Sequence, residues 1–225
     1  GNLIKLNYEF VYLYINGSNQ GLYVLEENFG KELVERNKRR NGPIFTVLSE
    51  FSWDIFNSEL DVYNKKYWYK KENIKILDYS KKKLKSFIKG EIEVNDTFDI
   101  KKWAWYFAVT DLTYTFHGIN PNQVKFFYNP VSGLFEPIPY DGHRFNKNFN
   151  KNLKTFEMRS NFEMASTCLD PKSPCRNKLS SDEDTTNQWR FRFFYKKDDG
   201  QLNQEFFRAY VEAIKKISDK DYLEK

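Results

Sequence analysis

The sequence is poor in the residues that bind metal ions or cross-link small domains. Its 225 residues include only two cysteines and two histidines, His117 and His143. The cysteines do not form a close CxxC pair, which argues against a structural zinc site. Cys168 and Cys175 share one polar loop that two prolines can bend back. This spacing is compatible with a local disulfide, and so with an oxidising compartment, and equally with two unrelated thiols.

Long apolar runs are absent as well. No stretch approaches the ~20 apolar residues that a helix needs to span a bilayer, and no signal peptide is visible at the start. The first residue is glycine rather than methionine, so we expect the chain to be a fragment. The sequence therefore predicts no membrane span in this fragment and leaves its compartment open.

Charge of one sign is not in large excess. The 36 basic and 31 acidic residues give a net charge of +5, and the basic residues are spread along the chain, whereas a nucleic-acid domain usually concentrates them on one face. We therefore expect no nucleic-acid partner. The aromatic and basic stretch 65–71 could stack bases or sugars on Trp68, but a helix or strand whose other face carries solvated lysines is the favoured interpretation.

Aromatic residues, by contrast, are abundant. The chain has 21 Phe, 15 Tyr and 5 Trp, which place much of its apolar area in large rings. A chain of this length can bury roughly 70% of its surface on folding. We predict a single α+β domain over residues 1–225.

Hydrophobic periodicity predicts two β-hairpins, a short strand and four helices. Residues 145–190 are polar and are predicted to be loop-rich. The predicted strands are Glu9–Ile15, Gly21–Glu27, 43–47, Val124–Tyr128 and Leu134–Ile138, and the predicted helices are Lys31–Asn37, Lys81–Lys89, a helix capped by Asp99, and a C-terminal helix over 203–225.

The order of the elements from residue 98 to residue 143 carries the functional signal. An amphipathic helix leads into a polar loop with His117 and Asn122, a hairpin follows, and Asp141 then stands beside a glycine. Protein kinases arrange their catalytic half in this order, with each polar group at the end of a rigid element that can aim it at a phosphate. His117 stands where the kinase loop carries its catalytic aspartate.

Two long blocks and the terminal helix resemble the spore-coat protein H (CotH) kinase-like family. The first block is YLYINGSNQGLYVLEENFGKELVERN, the second is FFYNPVSGLFEPIPYDGH, and the last is YVEAIKKISDKDYLEK. The resemblance implies an atypical protein-kinase fold that lacks the start of its N-terminal lobe. It also implies ATP as cofactor, Mg²⁺ or Mn²⁺ as metal, a protein substrate, and an extracytoplasmic, cell-surface or spore-coat location.

The resemblance also implies roles for individual residues. Glu27 corresponds to the glutamate that pairs with the nucleotide-contacting lysine, and that lysine is expected upstream of residue 1. Asp141 corresponds to the metal-binding aspartate of an Asp-x-Asp pair, and Asn122 to the polar residue of the catalytic loop. Two positions depart from the family pattern, because His117 replaces the catalytic aspartate and His143 replaces the second aspartate of the pair.

The chemistry of these residues leaves alternatives open. Asp141 can give Mg²⁺ a hard oxygen ligand, or it can bond the backbone of a turn before a glycine. Asn122 can give a second oxygen, or it can belong to an ordinary Asn-Pro-Asn turn. Glu27 can hold a lysine or form a plain surface salt bridge. His143 matches Mg²⁺ poorly, since imidazole suits softer ions.

His117 allows three interpretations. A neutral imidazole could accept the proton of an attacking Ser or Thr hydroxyl near neutral pH. A charged imidazole could contact a phosphate group, or the residue could mark a site that has lost transfer and kept binding. The function predicted first is ATP-dependent phosphorylation of protein Ser and Thr hydroxyls. The alternative is a catalytically degenerate kinase-like module that binds partners in spore-coat or cell-surface assembly.

Overall fold

The computed structural model describes residues 2–48, 58–142, 160–177 and 182–224. Helices and strands are mixed, as expected for an α+β chain. The strands are β1 (Tyr8–Ile15), β2 (Ser18–Glu26), β3 (Ile44–Leu48), β4 (Glu59–Val62), β5 (Lys125–Asn129) and β6 (Leu134–Ile138). The helices are α1 (Lys31–Arg36), α2 (Lys65–Trp68), α3 (Ile74–Lys89), α4 (Val94–Thr97), α5 (Ile100–Thr113), α6 (Asn161–Ser166), α7 (Pro174–Asn177), α8 (Asp182–Phe194), α9 (Gln204–Ile217) and α10 (Lys220–Leu223), with a 3₁₀ turn at Phe116–Ile119.

A four-stranded antiparallel sheet in the order β4-β3-β5-β6 forms the centre of the fold. Successive side chains of a strand point to opposite faces. Phe45 and Phe126 face the larger core, while Ile44 and Phe127 face a smaller one. The sheet is therefore covered on both faces, and its strand ends can hold polar groups in fixed positions.

The larger core is built mainly from aromatic rings on α5, α8 and the sheet. Trp103 of α5 lies 5.0 Å from Phe193 of α8 and 5.7 Å from Phe126, measured between ring centroids. The indole nitrogen of Trp103 donates to the Phe135 carbonyl at 3.0 Å. Asp99 caps α5 by accepting from the backbone nitrogen of Lys102 at 3.1 Å, as the sequence predicts. These contacts fix α5 on the sheet.

The smaller core covers the opposite face of the sheet. Phe29 and α1, through Leu33 and Val34, pack there on Phe127 and Ile138. Beside this cluster, Arg39 and Glu136 form a buried ion pair, and the Glu136 side chain is 1% exposed. The pair connects the segment after α1 to the hairpin β5–β6.

The first hairpin has a tighter turn than the predicted Asn-Gly-Ser-Asn-Gln connection. Asn16 and Gly17 both have positive φ, 51° and 81°, which favours a two-residue hairpin turn. Large apolar side chains are exposed on both strands, among them Phe10 at 77% and Tyr12 at 68%. The hairpin thus carries an apolar surface of a kind that is common at interaction sites.

The stretch 145–190 differs from the predicted loop-rich segment where the structure describes it. Helices α6, α7 and the first part of α8 lie within it. Cys168, which follows α6, forms a disulfide with Cys175 of α7. Of the two alternatives for this cysteine pair, the local disulfide is therefore confirmed over two unrelated thiols. The C-terminal helix ends at Ile217, and Asp219 caps a separate short helix, α10. Helix α3 begins earlier than predicted, at Ile74.

The aromatic and basic stretch 65–71 contains α2 and a turn. Trp68 is 5% exposed and belongs to the larger core. Its ring therefore lacks the open face that stacking of a base or a sugar requires. Within the described part of the chain, no helix is long and apolar enough to cross a bilayer.

A buried polar cluster between α5, α6 and α9 gives a testable pH dependence. Tyr210 donates to the Asp111 carboxylate, and the backbone nitrogen of Asn161 donates to it at 2.8 Å. Burial, which these hydrogen bonds oppose, raises the pKa of Asp111 to about 6. The folded state then binds a proton more tightly than the unfolded state, so stability falls as pH rises through this range.

We expect the unfolding free energy to drop by about 1–2 kcal/mol between pH 5 and pH 7.5 through Asp111 alone. Asp111→Asn keeps the size and most of the hydrogen bonding but cannot ionise, so it should lose that part of the pH dependence. Denaturant unfolding of both proteins at the two pH values measures the difference. If the unfolding free energy changes equally with pH in the wild type and the variant, Asp111 does not titrate in this range.

Candidate active site

The candidate site lies where the 3₁₀ turn after α5 meets the segment after β6. Helix α5 ends at Thr113, and the left-handed conformation of the next residue, Tyr114 (φ 56°), turns the chain directly into the loop that carries His117. Strand β6 ends at Ile138, and three residues later Asp141 also takes a left-handed conformation (φ 45°). Aspartate tolerates this region better than most residues. Both polar groups thus follow directly after rigid elements.

His117 and Asp141 are in direct contact. The Nδ1 atom of His117 lies 2.8 Å from the backbone carbonyl oxygen of Asp141 and 3.4 Å from its carboxylate Oδ2. Because a carbonyl only accepts, Nδ1 carries the hydrogen and the neutral tautomer has its lone pair on Nε2. The His117 side chain is 11% exposed and that of Asp141 is 46% exposed. A sheltered imidazole therefore stands beside a carboxylate that solvent can reach.

Gly118 allows the loop to approach the Asp141 segment closely. A Cβ at Gly118 would lie 2.7 Å from the Tyr106 hydroxyl, 2.9 Å from the Cα of Gly142 and 3.1 Å from the Tyr140 carbonyl. The Tyr106 hydroxyl donates to the Gly118 carbonyl at 2.6 Å and also has a hydrogen bond with the Tyr140 backbone. Complete burial raises the pKa of Tyr106, so its hydroxyl stays neutral and donates. Tyr106 therefore connects the loop that carries His117 to the segment that carries Asp141.

Lys125, the first residue of β5, extends the site into the sheet. Its ammonium group donates to the Asn122 carbonyl at 3.1 Å and to the Thr46 hydroxyl at 3.2 Å. It lies 4.9 Å from the centre of the Tyr140 ring, and Lys125 is 5% exposed. Burial lowers the pKa of Lys125 to about 8, against the opposing attraction of Asp141 and Glu26. A buried amine thus lies close to the exposed carboxylate.

The whole chain matches one known family. The protein-family model described as CotH kinase protein matches residues 2–225. This chain belongs to the CotH kinase family. The resemblance found in the sequence blocks is therefore confirmed, whereas a comparison with curated proteins gives no match.

In this CotH domain, Asn122 lies at the end of the loop with an incompletely bonded side chain. Its Oδ1 is buried and has no hydrogen-bond partner among the described residues. A buried polar atom without a partner is costly, so a bound group that supplies one would be stabilised here. The assigned role of Asn122 as a metal or cofactor contact stays a prediction.

The two adjacent glutamates at the end of β2 have different surroundings in this CotH domain. Glu27 pairs with Arg36, whose Nε donates at 3.1 Å, and accepts from the Asn7 backbone at 2.9 Å. These interactions, Arg36 first, lower the pKa of Glu27. Glu27 thus contacts an arginine and not a lysine, as in the salt-bridge alternative. Its role beside a nucleotide lysine stays a prediction.

Glu26, the preceding residue, faces the candidate site. Burial, with the Glu26 carboxylate as the next cause, raises the pKa of Tyr8 to about 12, and both also raise the pKa of Tyr140. Glu26 also attracts the Lys125 ammonium group. Glu26 and Glu27 have different surroundings because neighbouring residues of a strand point to opposite sides.

No group of three or more Asp, Glu, His or Cys side chains forms a metal cluster within the described residues. His143 lies outside the described residues, so the second position of the expected Asp-x-Asp pair is not placed. Of the predicted site residues, the structure brings His117 and Asp141 together and puts Asn122 beside Lys125. Sequence reasoning missed Tyr106, Lys125 and Glu26. The one available signal was the single lysine in the otherwise apolar strand VKFFY.

A pocket of about 280 Å³ lies next to this group. Phe29 and Tyr63 line it, and their rings are 4.8 Å apart. Phe29 also lies 5.3 Å from the Tyr140 ring and 6.0 Å from the Lys125 amine. Phe29 therefore lines the pocket and also lies near the Lys125 amine.

Proposed function

We propose that this CotH domain has a kinase-like fold and transfers the γ-phosphoryl group of ATP to Ser or Thr hydroxyls of a protein substrate. The observation that carries the proposal is the contact of His117 with Asp141, each held at the end of a rigid element. Phosphoryl transfer depends mostly on positioning and electrostatic stabilisation, with little covalent work by protein groups. Family membership and the helix-loop-hairpin order support the same reaction.

The residues present fit a nucleotide with a divalent cation. Mg²⁺ usually takes one or two protein carboxylates and completes its shell with phosphate oxygens and water. The exposed carboxylate of Asp141 would hold the metal, and the orphan Oδ1 of Asn122 is a second hard oxygen. When bound, ATP with Mg²⁺ or Mn²⁺ supplies the phosphoryl group and neutralises charge on it.

His117 is the proposed general base. The Asp141 carbonyl fixes its tautomer, so the Nε2 atom carries the lone pair that accepts the proton of the acceptor hydroxyl. The carboxylate of Asp141, 3.4 Å from Nδ1, then stabilises the imidazolium that forms. In this arrangement a histidine does the work for which protein kinases use an aspartate.

We expect Asp141→Asn to lose the thermal stabilisation that ATP with Mg²⁺ gives the wild type. His117→Ala should keep that stabilisation and lose transfer by about 10²–10⁴-fold, the usual contribution of a general base. Thermal shift with ATP–Mg²⁺ and phosphate incorporation into a test protein measure the two effects. Asp199→Asn is a matched control, since this exposed turn aspartate accepts a backbone hydrogen bond from Gln201 and lies outside the candidate site.

If Asp141→Asn binds and transfers like the wild type, the site is misassigned. If the wild type binds ATP without any transfer, the domain is a kinase-like binding module instead. The disulfide Cys168–Cys175 supports an extracytoplasmic place of action, such as a cell surface or spore coat, because such bonds persist in oxidising compartments.

A further inference from the structure

We propose that Lys125 is an anion-binding residue whose ammonium group contacts the phosphate chain of the nucleotide. The inference rests on the proposed function for the identity of the anion. It places the phosphate-contacting lysine on β5 of this chain.

The environment of the Lys125 charge favours a bound anion. Lys125 is 5% exposed, and its two hydrogen bonds go to neutral acceptors, the Asn122 carbonyl and the Thr46 hydroxyl. Within the described residues, none of the ion pairs with a nitrogen–oxygen distance of 4.0 Å or less includes Lys125. A buried charge without a counter-ion in contact is unfavourable, and an approaching anion relieves that cost.

The hydrogen-bonding capacity of the Lys125 ammonium group also favours a bound anion. An ammonium group has three donors, and the described structure uses two of them on Lys125. A purely structural tie between the loop and β3 needs only a neutral donor of similar length. The third donor and the full charge are what a phosphate oxygen would use.

The location of Lys125 suits a contact with the phosphate chain. Lys125 hydrogen-bonds the backbone of Asn122, the predicted metal or nucleotide contact, and lies under the Tyr140 ring next to Asp141. Asp141 and Glu26 both attract the ammonium group, so the amine is within electrostatic range of the carboxylate proposed to hold the metal. A phosphate chain bridging the metal on Asp141 and the Lys125 amine would be bound from two sides.

Three other lysines in the described part of the chain have different surroundings. Lys65 pairs with Asp61 at 2.8 Å and Lys220 pairs with Glu224 at 3.7 Å, both in solvent-exposed positions. Lys83 is the best-matched comparison, because it is also partly buried and donates to a neutral acceptor, the Gly133 carbonyl, at 2.7 Å. Lys83 lies at the turn end of the hairpin β5–β6, away from the loop and Asp141.

The test measures binding of two probes by calorimetry, inorganic tripolyphosphate without metal and ATP with Mg²⁺, for the wild type, Lys125→Met, Lys125→Arg and Lys83→Met. We expect Lys125→Met to weaken both probes by at least about 10-fold, the effect of losing one charge-assisted hydrogen bond. Lys125→Arg should restore part of the affinity, and Lys83→Met should bind like the wild type. Unchanged affinity of Lys125→Met for both probes would overturn the proposal.

A second measurement on the wild type avoids any dependence on how the variants fold. Amine-specific labelling followed by peptide mass spectrometry reports the reactivity of Lys125 and Lys83 with and without tripolyphosphate. Protection of Lys125 alone supports the anion site, and equal labelling in both conditions contradicts it. This test can be distinguished from a test of the proposed function. Lys125-dependent tripolyphosphate binding without phosphate transfer would refute the kinase activity and support the anion site. Phosphate transfer that Lys125→Met leaves unaffected would support the kinase activity and refute the anion site.

Discussion

Gly118→Ala is expected to lose phosphate transfer by 100-fold or more, although the substitution adds a single methyl group. The new Cβ would lie 2.9 Å from the Cα of Gly142 and 3.1 Å from the Tyr140 carbonyl, and both are backbone atoms that cannot rotate away. The loop with His117 must then move from the segment with Asp141. Misplacement of catalytic groups by about 1 Å can cost about 10²-fold in rate, and phosphate incorporation measures it.

Gly142→Ala is the matched control for this prediction. A Cβ there would meet its nearest neighbour, Thr115, at 3.4 Å, which is ordinary van der Waals contact. This variant should keep most of the activity, while Gly118→Ala should also lose about 1–3 kcal/mol of stability by overpacking. If both variants are equally active, the close approach of the loop to Asp141 has no functional weight.

The strongly periodic elements of this fold could be predicted from the sequence. Helix α5 and the hairpin β5–β6 appear close to their predicted bounds, because α5 has a wide apolar stripe and a capping Asp99, and the hairpin has apolar strands around a polar turn. The order of elements also predicted that His117 and Asp141 each follow a rigid element, and the structure brings these two residues into contact. Order along the chain predicts such contacts where short connections leave few ways to arrange the pieces.

Helix α8 shows why other parts could not be predicted. Its residues DEDTTNQWRFRFF include Arg190 and Arg192, which interrupt the apolar pattern, yet both are buried. Arg190 donates to Asn161 at 2.7 Å, and Arg192 donates to the Phe87 carbonyl at 2.6 Å. Because these partners are distant in sequence, the local sequence pattern alone predicts a polar, solvent-exposed segment. Tertiary hydrogen bonds made these arginines compatible with the core.

The site shows the same limit at the level of single residues. Which of two adjacent glutamates faces the loop could not be decided from the sequence. The structure places Glu26 there, while Glu27 pairs with Arg36. Lys125 stands out in the sequence as a lysine within an apolar strand, but the sequence does not show which groups surround it. Its burial depends on Phe29 and Tyr140, which reach it from distant parts of the chain.

Glu136→Ala is expected to destabilise the domain by about 3–5 kcal/mol, because it leaves a buried arginine without its counter-ion. Arg39 donates to Glu136 at 3.0 Å, and the Asn129 side chain donates to the other carboxylate oxygen at 2.7 Å. Lys102 of α5 adds a third positive or polar neighbour at 3.5 Å. Loss of the carboxylate thus affects three elements together. Denaturant unfolding at neutral pH measures the change.

Lys220→Ala is the contrasting control, since its pair with Glu224 is exposed and such pairs contribute about 0–1 kcal/mol. Glu136→Gln separates charge from hydrogen bonding, because an amide oxygen can still accept from Asn129 but leaves the Arg39 charge unbalanced. A loss for Glu136→Gln close to that for Glu136→Ala would assign the effect to charge. A loss below about 1 kcal/mol for Glu136→Ala would mean that water reaches Arg39 and replaces the carboxylate.

The hairpin β5–β6 carries Lys125 at its start and leads to Asp141 at its end, so the same ion pair that stabilises the sheet also holds the candidate site in place.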